Sequence, residues 1–126
     1  MNALQALMDA TIRTINEHPA EITIHRLEYQ NDDSGGRDTQ ESDLAPFTAR
    51  LVPSRQDRQI RLQDEAGKMQ LSGWILIAPW DADIKHGSNV EDAFTAAGVK
   101  YRVLRVIPRK INGDTYAIHA VVEEVS

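Results

Sequence analysis

The sequence predicts a mainly β protein: a small barrel or strongly curled antiparallel sheet of about six strands, preceded by one N-terminal α-helix, in a single domain over 1–126. Three observations lead there. A sustained apolar stripe at steps of three and four lies in the first 18 residues. Beyond them, apolar residues alternate or run in short segments separated by turn signals. One of those segments, Trp74 to Trp80, is apolar on both faces, so it must be a central strand covered from both sides.

The helix is expected over 2–17. Leu4, Leu7, Met8, Ile12 and Ile15 form its stripe, which should pack on a sheet, and His18-Pro19 stops it because the residue before proline avoids helical geometry. The sheet region is expected over 21–125. In "EITIHRLEY", Ile22 and Ile24 alternate with polar neighbours before Leu27 and Tyr29 take over, which implies a bulge near His25-Arg26. Residues 30–45 contain a polar run without an apolar side chain and read as an exposed loop. "FTARLVP" is a short strand closed by proline. Residues 54–70 are expected to form a long hairpin with its tip near Gly67, in preference to a short helix over Asp57 to Ala66. "VEDAFTAAG" reads as a short helical turn, with Val90 and Phe94 four apart and Gly98 as the stop. "VKYRVLRVIP" is a strand with Tyr101 and Val103 on one face and Leu104 and Val106 on the other. Asn112-Gly113 is a strong hairpin signal, because both residues accept positive φ, and "TYAIHAVVEEV" returns from it.

Composition narrows the function. With no cysteine, disulfides, thiolate zinc sites and cysteine nucleophiles are excluded. The N-terminus lacks the basic cluster of a signal peptide, and the longest apolar run falls short of the roughly 20 residues needed to span a bilayer. Net charge is −5, from 14 basic and 19 acidic residues, which disfavours general nucleic-acid binding. The charge is polarised, however. Asn31 to Asp43 carries five acids and one base, while Lys100 to Lys110 carries five bases and no acid. Two such segments can pair within one copy or between copies.

Asp81 and Asp83, two apart and close to Lys85 and His86, resemble a catalytic cluster, since paired carboxylates serve acid–base chemistry. No metal-binding, phosphate-loop or nucleophile-elbow motif accompanies them, and two acids at a strand end read as a solvated turn. "NDDSGG" lacks the acid spacing of a calcium loop. Trp74 and Trp80 fall on one strand face and read as core, and His25 and His119 as strand histidines rather than ligands. No catalytic residue, metal site or cofactor is expected.

From Gly73 to Val125 the chain resembles the C-terminal half of small head–tail connector proteins, the neck or head-closure proteins of tailed phages and prophages, including the type in defective Bacillus prophages. The shared pattern is a hydrophobic strand ending in Asp-x-x-Ile-Lys-x-Gly (Asp81, Ile84, Lys85, Gly87), then Gly98, Tyr101 and Val103 opening a strand, a hairpin at Asn112-Gly113, and a last strand ending in Glu123 and Glu124. Ser88 stands where the family usually has an acid, and "NVEDAFTAAG" is an insertion. The N-terminal half fits by order of elements: a helix, "ITIHR", and a polar loop with Gly35 and Gly36.

The resemblance implies an OB-like barrel without catalysis, assembling as a ring in the virion neck around the DNA channel. Its partners would be further copies of itself, a portal or adaptor protein, and tail-terminator or tail proteins, with packaged DNA passing close by and no membrane. Assembly would take place in the host cytoplasm. Because such rings form on a portal, the isolated chain can be a monomer. Expected contact residues are Asp32, Asp33, Arg37, Asp38, Asp81, Lys85, Arg102 and Arg105. The 54–70 hairpin, with Arg55, Arg58, Arg61, Asp64 and Glu65, is the candidate channel loop. Two alternatives stand beside this reading: a nucleic-acid-binding module using Trp80 and the basic strand, and a small enzyme using Asp81, Asp83 and His86.

Overall fold

Two residues, Thr23 and Ile24, decide the shape of the sheet. They separate β1 (Ala20–Ile22) from β2 (His25–Asn31). Yet β1 begins the strand order β1-β4-β7-β11-β10-β9-β2-β3, and β2 stands six steps along it. Six steps of about 4.8 Å would set the two strands roughly 29 Å apart in a flat sheet, whereas the chain from Ile22 to His25 spans at most about 11 Å. The sheet therefore has to curl, and it does so through 244° over eight strands.

The structure, a computed structural model, describes residues 2–31, 35–53, 61–63, 69–71 and 73–125. After β2 come β3 (Arg37–Asp43), β4 (Phe47–Pro53), β5 (Arg61–Gln63), β6 (Met69–Leu71), β7 (Trp74–Pro79), β8 (His86–Gly87), β9 (Val90–Ala96), β10 (Val99–Ile111) and β11 (Asp114–Glu124). All pairings among them are antiparallel. β8 pairs with β9, and β5 and β6 pair only with each other. The protein is thus mainly β with one N-terminal helix, as expected. It is a nine-stranded sheet curled into a half-barrel and not a closed barrel of six strands.

The helix α1 (Ala3–Glu17) starts where the Asn2 side chain accepts a hydrogen bond from Gln5 N at 2.7 Å, and it ends before His18-Pro19. It lies over β11, β7 and β4. Arg50 of β4 fixes its far end, donating from Nη1 to Thr14 O at 3.1 Å and to Glu17 Oε2 at 2.9 Å. Only Ile15 of the stripe is buried, and Ile12 is 42 % exposed.

The core fills the concave side. Leu76 and Ala78 of β7 meet Ile118, Ala120 and Val122 of β11, and Ile22, Ile24 and Ala49 close the other flank. Phe94 and Tyr101 are cross-strand partners with rings stacked at 5.3 Å, and Trp74 meets Tyr101 edge-on at 6.0 Å. Ala117 and Val121 are buried on the opposite face, where the helix packs, so β11 and β7 are both covered from two sides. Trp80 lies beyond the end of β7, 49 % exposed, and does not tuck into the core.

Four sequence expectations change. Residues 37–43 form β3, a fully exposed strand rather than part of a loop. "VEDAFTA" is strand β9, not a helical turn: Asp92 and Phe94 are buried in alternation, and pairing with both β10 and β2 overrides local propensity. No bulge lies near His25-Arg26: β2 pairs with β3 and β9 without a register shift, and burial in steps of two runs through Ile22, Ile24 and Arg26 before it passes to Leu27 and Tyr29. In β10 the register shifts between Val103 and Arg105, so Val106 joins Tyr101 and Val103 on the core side. Within the expected hairpin β5 pairs antiparallel with β6, while residues 54–60 and the tip near Gly67 lie outside the described residues. The Asn112-Gly113 turn has the expected positive φ at both residues, 50° and 85°.

Candidate functional site

One end of the half-barrel holds an ion cluster that the sequence reading missed. Arg26 on β2 and Asp92 on β9 are direct cross-strand partners on the concave face. Their side chains are 5 % and 0 % exposed. Such a pair persists only when its hydrogen bonds are complete. Here they are: Arg26 Nε donates to Asp92 Oδ1 and Nη2 to Asp92 Oδ2, both at 2.8 Å, a two-pronged match of guanidinium to carboxylate. The remaining prongs reach Asp83, with Nη1 to Oδ2 at 3.1 Å and Nη2 to Oδ1 at 3.0 Å. Asp92 Oδ2 also accepts the backbone N–H of Lys85 at 2.6 Å. Among the described residues, no buried side-chain polar atom lacks a partner.

This cluster fastens the turn that follows β7. Asp83 and the Lys85 backbone anchor it, Ile84 inserts its side chain and is 6 % exposed, and β8 then pairs back onto β9. "DADIKHG" therefore works as a stopper over the end of the core. Hydrogen bonds to Asp92 and then to Asp83 hold the Arg26 guanidinium more firmly protonated than usual, against the opposing cost of burial. The hydrogen bond from Arg26 keeps the Asp83 carboxyl below its ordinary value, although burial pushes the other way.

Asp83 is spent on Arg26, while Asp81 and His86 are exposed and neither makes a hydrogen bond or ion pair to it among the described residues. No group of three His, Asp or Glu side chains suited to a metal ion occurs among the described residues. No described helix is long and apolar enough to cross a membrane.

The expected contact residues that the structure describes lie on the outside. Asp32 and Asp33 are outside the described residues, as are Arg55, Arg58, Asp64 and Glu65 of the channel-loop candidates, and Arg61 lies in β5. Arg37 covers the Tyr29 ring at 4.2 Å, and Asp38 is exposed on β3. Lys85 has an exposed side chain. Arg102 pairs within the chain, donating from Nε to Glu123 Oε1 at 2.6 Å, so its nearest acid is its own cross-strand neighbour. Arg105 is exposed on β10.

Two of the grooves among the described residues flank these elements. One, of about 400 Å³, runs over the outer face of β2, β9 and β10, with Leu27, Ala93, Leu104 and Val125 along its floor and Glu91 and Arg102 at its sides. The other, of about 450 Å³, lies between Leu4, Met8, Trp80 and the β10–β11 turn. At the border of the first, His25 Nδ1 meets Asp43 Oδ1 at 2.6 Å. Neither the protein-family models nor the curated proteins give a match to this chain.

Proposed function

We propose that the chain is a structural neck protein of a tailed phage or prophage. It joins the portal and head to the tail, acts as a ring in the virion, and helps close or gate the DNA channel without catalysing a reaction. Its neighbours in that role are further copies, a portal or adaptor protein and tail-terminator proteins, with DNA transiently close. It would assemble in the host cytoplasm and end in the virion neck.

The observation that carries the reading is the structural use made of the Asp81-x-x-Ile84-Lys85-x-Gly87 turn. This motif bears the resemblance, and its Ile84 side chain and Lys85 backbone hold the end of the core, with Asp83 bound to Arg26. A residue pattern repeated across a family of inert building blocks is expected to work in this way. The exposed, oppositely charged β3 and β10 are consistent with contacts between copies, and the β5–β6 hairpin is the candidate channel element.

The test is electron microscopy of the purified chain mixed with the portal ring encoded in the same genome. A ring of density capping the portal is expected. Bare portals at saturating chain, or a gene neighbourhood without portal, capsid and tail genes, would overturn the reading. One observation favours the nucleic-acid alternative: Lys100, Arg102, Arg105 and Arg109 are all exposed on β10. That alternative predicts binding of a single-stranded oligonucleotide which weakens steeply with salt.

A further inference from the structure

The bulge in β10 has an electrostatic consequence. Lys100 and Arg102 project from the outer face, opposite to buried Tyr101 and Val103. Strict alternation from there would turn Arg105 inward. The register shift between Val103 and Arg105 instead pairs Arg105 with Val121 and Arg109 with Ala117, both on the face that carries the helix. Lys100, Arg102, Arg105 and Arg109 thus form one basic row on the outside of the half-barrel. Arg102 is paired with Glu123, while no salt bridge engages Lys100, Arg105 or Arg109 among the described residues.

The opposite charge lies at the end of the sheet. Among the described residues β3 pairs only with β2, all seven of its residues are exposed, and it carries Asp38, Glu41 and Asp43 against Arg37. A long open edge is a hazard for a solitary protein, and charge on it repels like edges. The same charge leaves the edge open to a cationic surface.

The curl decides where these two surfaces point. Spread evenly over seven steps, 244° is about 35° per strand, so β10 and β3, three steps apart, differ by roughly 105°. The acidic side chains stand on the faces of the sheet and not along its edge. Glu41 and Asp43 lie opposite Leu27 and His25 on the outer face, and so point roughly 105° away from the basic row. Two distinct, oppositely charged patches on one copy suit a head-to-tail contact rather than a two-fold one.

We propose that the acidic outer face of the edge strand β3 in one copy seats on the basic outer row of β10 in the next. This rests on the ring-forming reading above and names the contact that builds the ring. Lys100, Arg105 and Arg109 supply the positive side, and Glu41 and Asp43, which also meet His25 of their own copy at 4.0 and 2.6 Å, the negative side.

The cysteine-free chain makes the contact directly testable. Glu41→Cys and Arg105→Cys are introduced together in the full chain. The concentrated protein is then treated at low ionic strength with a bis-maleimide too short for the roughly 14 Å that three strand spacings put between β3 and β10 of one copy. A ladder of conjugates beyond the dimer is expected, fading as salt screens the contact. Each single-cysteine variant should conjugate with the other and not with itself. Conjugates that stop at the dimer, or no conjugate either free or on a portal ring, overturn the proposal. Portal capping without the ladder removes this contact and leaves the neck reading intact. A ladder without portal capping retains the contact and removes the neck reading.

Discussion

Asp92→Ala tests the ion cluster most directly. The substitution leaves Arg26, with a side chain 5 % exposed, facing a void, and removes the acceptor of the Lys85 backbone N–H. Breaking a buried pair by deleting one partner costs about 3–5 kcal/mol. Asp83 still reaches Arg26 from a position 57 % exposed, so the lower end, about 3 kcal/mol, is expected. For a domain of this size that corresponds to a fall in Tm of about 10 °C. The informative comparison is a double-mutant cycle of Arg26→Met, Asp92→Leu and the pair together, read by urea unfolding followed by circular dichroism. Each single variant strands one buried charge or its partner groups. The double variant removes both charges and retains apolar volume, so it should be more stable than either single, with a coupling of about 3 kcal/mol. Additive losses, or an Asp92→Ala cost below about 1 kcal/mol, would refute the view that this pair holds the end of the core.

Other outcomes follow from the same structure. Ile84→Ala should cost about 3 kcal/mol by emptying the stopper, measured by urea unfolding, whereas Asp81→Ala on the same turn should change stability by less than about 0.5 kcal/mol. Ala97 holds φ of 50° before Gly98 in the β9–β10 turn, a conformation that asparagine tolerates better, so Ala97→Asn should raise Tm by a few degrees. Burial, with a smaller contribution from Arg109, keeps the His119 imidazole below its ordinary 6.5, so the unfolded chain takes up its proton first and stability falls as pH drops below about 6.5. The His119→Leu variant should lose that limb in a Tm–pH profile, leaving the decline below 3.8, where the unfolded chain takes up the Asp83 proton while Arg26 still holds the folded carboxyl ionised. Burial raises the Tyr101 phenol above 10.0, so the unfolded state releases its proton first and stability falls as pH climbs past 10; Tyr101→Phe should flatten that alkaline limb.

What the sequence determined by itself was every element whose signal is local. The helix and its proline stop, the doubly covered β7, the hairpin at Asn112-Gly113 and the mainly β character all follow from periodicity and turn chemistry within a few neighbouring residues. Tertiary structure decided the rest, and much of it turns on one pair. Arg26 and Asp92 are polar at core positions 66 residues apart, so each disguised its own strand: one mimicked a bulge and the other helped a strand pass for a helical turn. A buried ion pair has no local signature, because either charge alone would be expelled from the core and only the fold brings its partner. The curl of the sheet was hidden for the same reason. It depends on β1 and β2, neighbours in the chain, taking positions far apart in the strand order, and that order is settled by which distant strands pair.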